Sequence, residues 1–290
     1  MSESLKTILS PEVLANSQEN ASELLFQRLN CPIIKNQIID LLYRAELWDA
    51  ENTVYDIPSK NPDGTWVRDE NGKMVFAKEK HKAKTREEIE RDYEQTLQRI
   101  MSFTEIDFGT DGPTGGSATS NEILHLGWKL PQTNKKPTTN QWSIFEAHEK
   151  GHSMRPFSKY NSKFFKDYFS SAFDLSRVNY TLEDYQQFLD VINSQNVTFD
   201  KDSKPLAYED QRQEFFNYLF DGNEIAERMS QLKNYFGFKG DEQFTLDHLN
   251  YAREHYINDT GVDNSMMHFF SAITDETAPE FIRLINSSGI

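Results

Sequence analysis

Apolar residues recur at intervals of three and four along several stretches of the chain, the repeat of an amphipathic helix. The clearest stretch runs from 21 to 48, where Leu24, Leu25, Leu29, Ile33, Ile34, Ile38, Leu41 and Leu42 keep that phase. Pro32 lacks the N–H that an uninterrupted helix needs, so the stretch must break or restart there. Ser10, Pro11 and Glu12 offer an N-cap, a proline at the first helical position and an acid in the first turn, which predicts a short helix toward Ala15. From Thr85 to Phe103 the repeat returns, with Ile89, Tyr93, Leu97, Ile100 and Met101 on one stripe. The second half predicts helices near 140–153, 160–173, 181–193, 208–220, 222–236, 245–257, 262–272 and 277–286. Thr181 and Thr245 stand as N-caps, and Gly237 stands where a helix ends.

Residues 57–80 depart from that repeat. Asp63-Gly64 and Asn71-Gly72 are turn dipeptides beside Trp66, Val67, Met74, Val75 and Phe76, which predicts a β-hairpin or two short strands. Leu124, Leu126, Trp128 and Leu130 alternate with His125, Gly127 and Lys129, the period of a strand with one buried face. Gly109 to Ser117 reads as a plain loop, since no Gly-Lys-Ser/Thr follows to make a phosphate cradle. Residues 132–139 read as polar linker. The expected class is mainly α with a small β element (α+β). A helical N-terminal region with the hairpin would cover 1–118 and a second region 119–290.

Charge narrows the partners. Among 290 residues, 46 Asp and Glu oppose 31 Lys and Arg, a formal net charge of −15. A field of that sign repels phosphate backbones and anionic lipid, so neither nucleic acid nor a membrane surface is an expected partner. Aromatic residues make up 13% of the chain, too many for a disordered one. The single cysteine, Cys31, cannot form an internal disulfide, and it reads as structural beside Pro32. No apolar run approaches the roughly 20 residues of a membrane helix. The start, Met1 to Lys6, lacks the charged and apolar regions of a signal peptide. The expectation is a protein of the cytoplasm, or of a particle assembled there.

One predicted helix carries sharp chemistry. It contains His148-Glu149-Lys150-Gly151-His152, the pattern His-Glu-x-x-His. Residues four apart lie one turn above each other, so both imidazoles can reach one ion at roughly 2.0–2.1 Å. Glu149, beside the first histidine, can take a proton from a metal-bound water and pass it to a leaving amine. A catalytic zinc site also wants a third protein ligand. Downstream, Asp221-Gly-Asn-Glu224 opens a helix whose apolar stripe is Ile225, Met229 and Leu232. Glu224 and Glu227 follow within its first turns. Acidic residues there can equally serve the helix dipole.

Together these residues resemble the gluzincin branch of the zincin metallopeptidases. That family pairs His-Glu-x-x-His with a later Asn-Glu-x-x-x-Asp. The resemblance covers roughly residues 120–237, and Asn223-Glu224 matches the start of the second motif. It implies a zincin-like core with an N-terminal helical extension, zinc as cofactor, His148, His152 and Glu224 as ligands, and Glu149 as base. It implies peptide-bond hydrolysis of a peptide or protein substrate, with an edge strand near the active-site helix, here 123–130, pairing with that substrate, although the same alternation equally fits a packed core strand. The family's aspartate falls at Arg228, which departs from the pattern, and Glu227 is a substitute one residue earlier. Glu146 and Lys150 are also charged where such helices carry uncharged residues.

A rival expectation is a non-catalytic structural or assembly protein, for instance a component of a phage particle, with an inactive zincin-like core and protein partners. His248 and His255, seven apart on one helix face, are alternative ligands or oxyanion donors but read as ordinary surface or packing histidines. His268 reads as a core residue. Tyr218 and Tyr235 flank the Glu224 helix as weak oxyanion-donor candidates. The basic run from Lys78 to Arg86 reads as a solvated face.

Overall fold

The computed structural model describes residues 21–101, 105–108, 116–118, 123–126, 139–178, 216–261 and 265–290. The helices expected near 10–15 and 181–193, the strand end 127–130 and the linker 132–138 lie outside the described residues. So does most of the helix expected over 208–220, of which 216–219 are helical.

The chain is mainly helical with small β elements. Helices α1 (Ala21–Asn30) and α2 (Pro32–Asn52) meet at Cys31, which is extended and precedes the proline in the first turn of α2. The proline therefore restarts the helix. The restart also changes the phase: Leu24, Leu25, Leu29, Ile34, Ile38, Leu41 and Leu42 are buried, while Ile33 turns to solvent.

Strands β1 (Val54–Pro58) and β2 (Phe76–Lys80) pair antiparallel, Val54 opposite Lys80 and Pro58 opposite Phe76. Beyond them the ribbon forks. Lys60 bridges Trp66 around Asp63-Gly64, and Arg68 bridges Met74 around Asn71-Gly72. Gly64 and Gly72 take φ values of 86° and 78°, which favour glycine. The arm leaves Val54, Ile57, Trp66, Met74 and Phe76 exposed. Its base is fastened to two buried carboxylates of α2. Tyr55 donates to Asp49 at 2.7 Å, and His81 hydrogen-bonds Glu46.

Helix α3 (Arg86–Met101) packs on α2 and buries Ile89, Tyr93, Leu97 and Ile100. A mixed sheet follows: β3 (Glu105–Phe108), β4 (Gly116–Ala118) and β5 (Ile123–Leu126), in the order β3-β5-β4. β3 runs parallel to β5 and β4 antiparallel to it. This corrects two expectations. Gly116–Ala118 is strand and not loop, because pairing with β5 supplies what Gly-Ser-Ala lacks in apolar pattern. β5 is flanked on both sides, so the edge beside the next helix belongs to β4.

That helix, α4 (Thr139–Met154), packs against β4, β5, α1 and α3. After it come α5 (Ser162–Ser170), α6 (Gly222–Tyr235), α7 (Leu246–Thr260), α8 (Ser265–Ser271) and α9 (Ala278–Ser287). Thr245 caps α7 as expected, and Gly237 follows α6 with φ 72°. α6 is covered by α1, α4, α5 and α9, so every residue in it except Asn223 is buried. The stripe of Ile225, Met229 and Leu232 is thus one side of a helix enclosed all round. Buried apolar residues form one contiguous core from Ala21 to Ile290. Among the described residues, no helix is long and apolar enough to cross a membrane.

Candidate metal centre

The helical repeat of α4 stacks His148 and His152 one turn apart, with ring centroids 4.7 Å apart and planes at 86°. Their Nε2 atoms come within 3.1 Å of each other. Glu224 enters from the first turn of α6. One carboxylate oxygen lies 3.4 Å from His148 Nε2 and the other 3.4 Å from His152 Nε2. Ligand atoms roughly 2.0–2.1 Å from a tetrahedrally held zinc stand roughly 3.3–3.4 Å from one another. The two nitrogens and the carboxylate therefore have both the chemistry and the spacing for one small cation. Among the described residues this is the group of His, Cys, Asp and Glu that converges closely enough to hold a metal.

Local sequence sets that convergence. Asp221 caps α6 by accepting from the Asn223 N–H at 3.0 Å. Gly222 lets the helix start press on α5, since a Cβ there would fall 2.4 Å from Phe165 Cβ. Gly151 does the same between α4 and α6, where a Cβ would fall 1.7 Å from a Glu227 oxygen. Arg155 grips Glu227 with two hydrogen bonds, at 2.7 and 2.5 Å, and its third nitrogen donates to Gly289 O at 3.1 Å. Glu227 is committed to that arginine, while Glu224 faces the histidines. The charged Glu146 and Lys150 pair with each other one turn apart, and the Lys150 ammonium sits 5.3 Å from the Phe26 ring centroid.

Electrostatics follow from burial and charge. Burial alone would raise the Glu224 carboxyl. The Arg228 guanidinium, with Nη1 at 3.0 Å, and the two histidines, each with Nε2 3.4 Å from a carboxylate oxygen, instead hold it well below the usual range. Burial alone would depress His152. Its hydrogen bond to Glu224 and that charge lift it to about 9. Glu149 is raised by burial, against the pull of His148 and His152. A half-buried carboxyl raised in this way suits a group that must accept and return a proton.

The other candidates have different employment. His248 Nδ1 accepts from the Thr245 N–H at 3.1 Å in a capping box, within Phe236, Phe238 and Phe244. His255 is half-buried against Tyr251, and His268 is buried. Tyr235 donates to Asp259 at 2.6 Å, whereas Tyr218 is exposed beside Arg228. In the basic run, Lys84 pairs with Asp92 and Arg86 with Asp40, each at 2.8 Å. Sequence reasoning missed what two arginines do here. Arg228, four residues after Glu224, had a readable signal in its helical spacing. Arg155 had none, since its partners are remote in sequence. No family model matches the chain, and comparisons with known proteins and with solved structures give no match.

Proposed function

We propose that the chain is a zinc-dependent peptidase of the zincin type, with a zincin-like core around α4 and α6. The observation that carries this reading is the convergence of His148, His152 and Glu224 at ligand spacing beside Glu149. A bound zinc ion would supply an acidified water and polarise the scissile carbonyl. The chain's own residues do the rest. Both histidines and Glu224 hold the ion. The Glu149 carboxylate takes a proton from the attacking water and hands it to the leaving amine. An extended substrate would add to the outer edge of β4, which lies beside α4 and has an unpaired side among the described residues.

Glu149→Gln keeps size and hydrogen bonding but removes basicity. It is expected to retain zinc, measured by elemental analysis, and to lose cleavage of a peptide library by a factor on the order of 10² or more. Equal cleavage by both proteins would refute the role of Glu149. A second reading, an assembly protein in which the metal staples α4 to α6, draws on the exposed apolar arm. Zinc binding without cleavage of any library member would favour it.

A further inference from the structure

We infer that Arg228 competes with a divalent cation for the Glu224 carboxylate and so holds down the metal affinity of the centre. This rests on the proposed metal centre. Arg228 lies one turn after Glu224 on α6 and is 4% exposed, so solvent screens its charge little. Its Nη1 is 3.0 Å from Glu224 Oε2, the same oxygen that lies 3.4 Å from His148 Nε2. One oxygen thus serves a resident monovalent cation and the place a divalent one would take.

The arginine is anchored where it stands. The same Nη1 donates to Leu219 O at 3.2 Å, and the guanidinium carbon sits 5.8 Å from the Tyr218 ring centroid. Glu224 Oε2, by contrast, makes no well-aligned hydrogen bond, although it is buried. Its link to Arg228 is therefore mainly coulombic, and an incoming cation can take it over without breaking a directed bond. A cation that does so still meets an arginine that cannot lose its proton or leave. Two positive charges a few ångströms apart in a buried site repel, and the carboxylate shared between them binds each less strongly than it would bind one. The Arg155–Glu227 pair nearby already balances its own charge, so it does not offset that repulsion.

The test titrates zinc into the full chain against a chelator of known affinity, for wild type, Arg228→Gln and Arg228→Lys. Circular dichroism and denaturant melts report the fold of each. The glutamine variant, which keeps a donor for Leu219 O, is expected to bind zinc on the order of 10–100-fold tighter, the scale of groups around a metal's ligands. The lysine variant, which keeps the charge, should stay near wild type. A gain on neutralisation is not what damage to a merely structural residue produces. Arg228→Met, which keeps the apolar stem, replaces the glutamine variant should that one not fold. A folded neutral variant that binds zinc equally or more weakly overturns the inference, and so does loss of fold in both neutral variants. If no folded protein binds zinc, wild type included, the metal centre itself falls and takes this inference with it.

Discussion

Lys233 lies on α6 with 1% of its surface exposed, in the field of Arg28 on α1 and Arg155 at the end of α4. Asp241 and Glu242 oppose them from the loop before α7. Burial first, then Arg28, brings the ammonium down from the ordinary 10.5 to about 7. Below pH 7 the group is charged in both the folded and the unfolded chain, and the fold carries its full cost. Between about 7 and 10.5 the unfolded chain binds more protons, so this group makes stability rise with pH. Lys233→Met is therefore expected to raise unfolding stability at pH 6 by on the order of 5 kcal/mol. The gain over wild type should shrink steadily toward pH 10 in urea melts. A gain that does not depend on pH would show that side-chain volume, not charge, was at fault. Nothing in the local sequence announces this lysine. Gln231, Lys233 and Asn234 read as the solvated side of an amphipathic helix, and only the packing of four other helices around α6 buries the lysine.

At the scale of elements, the α4–α6 pair is clamped at two levels. Glu224 meets the histidines, and one turn on Glu227 lies against Gly151 in the grip of Arg155. Arg155 and Glu227 are both almost fully enclosed. Removing one partner leaves a buried charge unpaired, so Arg155→Met is expected to cost about 3–5 kcal/mol in denaturant melts. Arg155→Met combined with Glu227→Met should recover much of that loss, because a well-packed apolar pair replaces the ionic one. A double variant as unstable as the single would point to the Gly289 contact as what matters. The helices themselves were legible: three-and-four spacing marked α1, α2 and α3, and Pro32 marked the restart. β4 was not, because three small residues carry no period and their strand exists only through β5. The two histidines were legible from spacing within one helix. Glu224 needed a second motif, since no local rule tells which distant carboxylate faces a given helix.

Over the whole molecule, the enclosed α6 and the forked arm are opposite extremes. The core holds polar residues that must be paired, while the arm exposes large apolar ones. The arm is tied to the body through Tyr55–Asp49 and His81–Glu46 at its base. Residues 60–74 hold three cations and three anions, so their removal leaves the net charge at −15. The Ser59 N–H already donates to Val75 O at 2.8 Å, so an Asn-Gly turn can join those two residues as a two-residue hairpin. That replacement is expected to change stability by less than about 1 kcal/mol and to leave the zinc affinity of the proposed centre unaltered, read by melts and chelator competition. A large loss of either would mean that the fork contributes to the body and is not an appendage.

The fork also gives the molecule a handle. At Gly64 and Gly72 nothing stands within 4 Å of where a side chain would begin. The native thiol, Cys31, is half-buried where α1 gives way to α2, close to Gly240. A cysteine introduced at Glu70, in the Asn71-Gly72 turn, would meet a thiol-reactive dye well ahead of Cys31. A fluorophore there would watch partners arrive at the apolar arm from a position that leaves the histidines and Glu224 untouched.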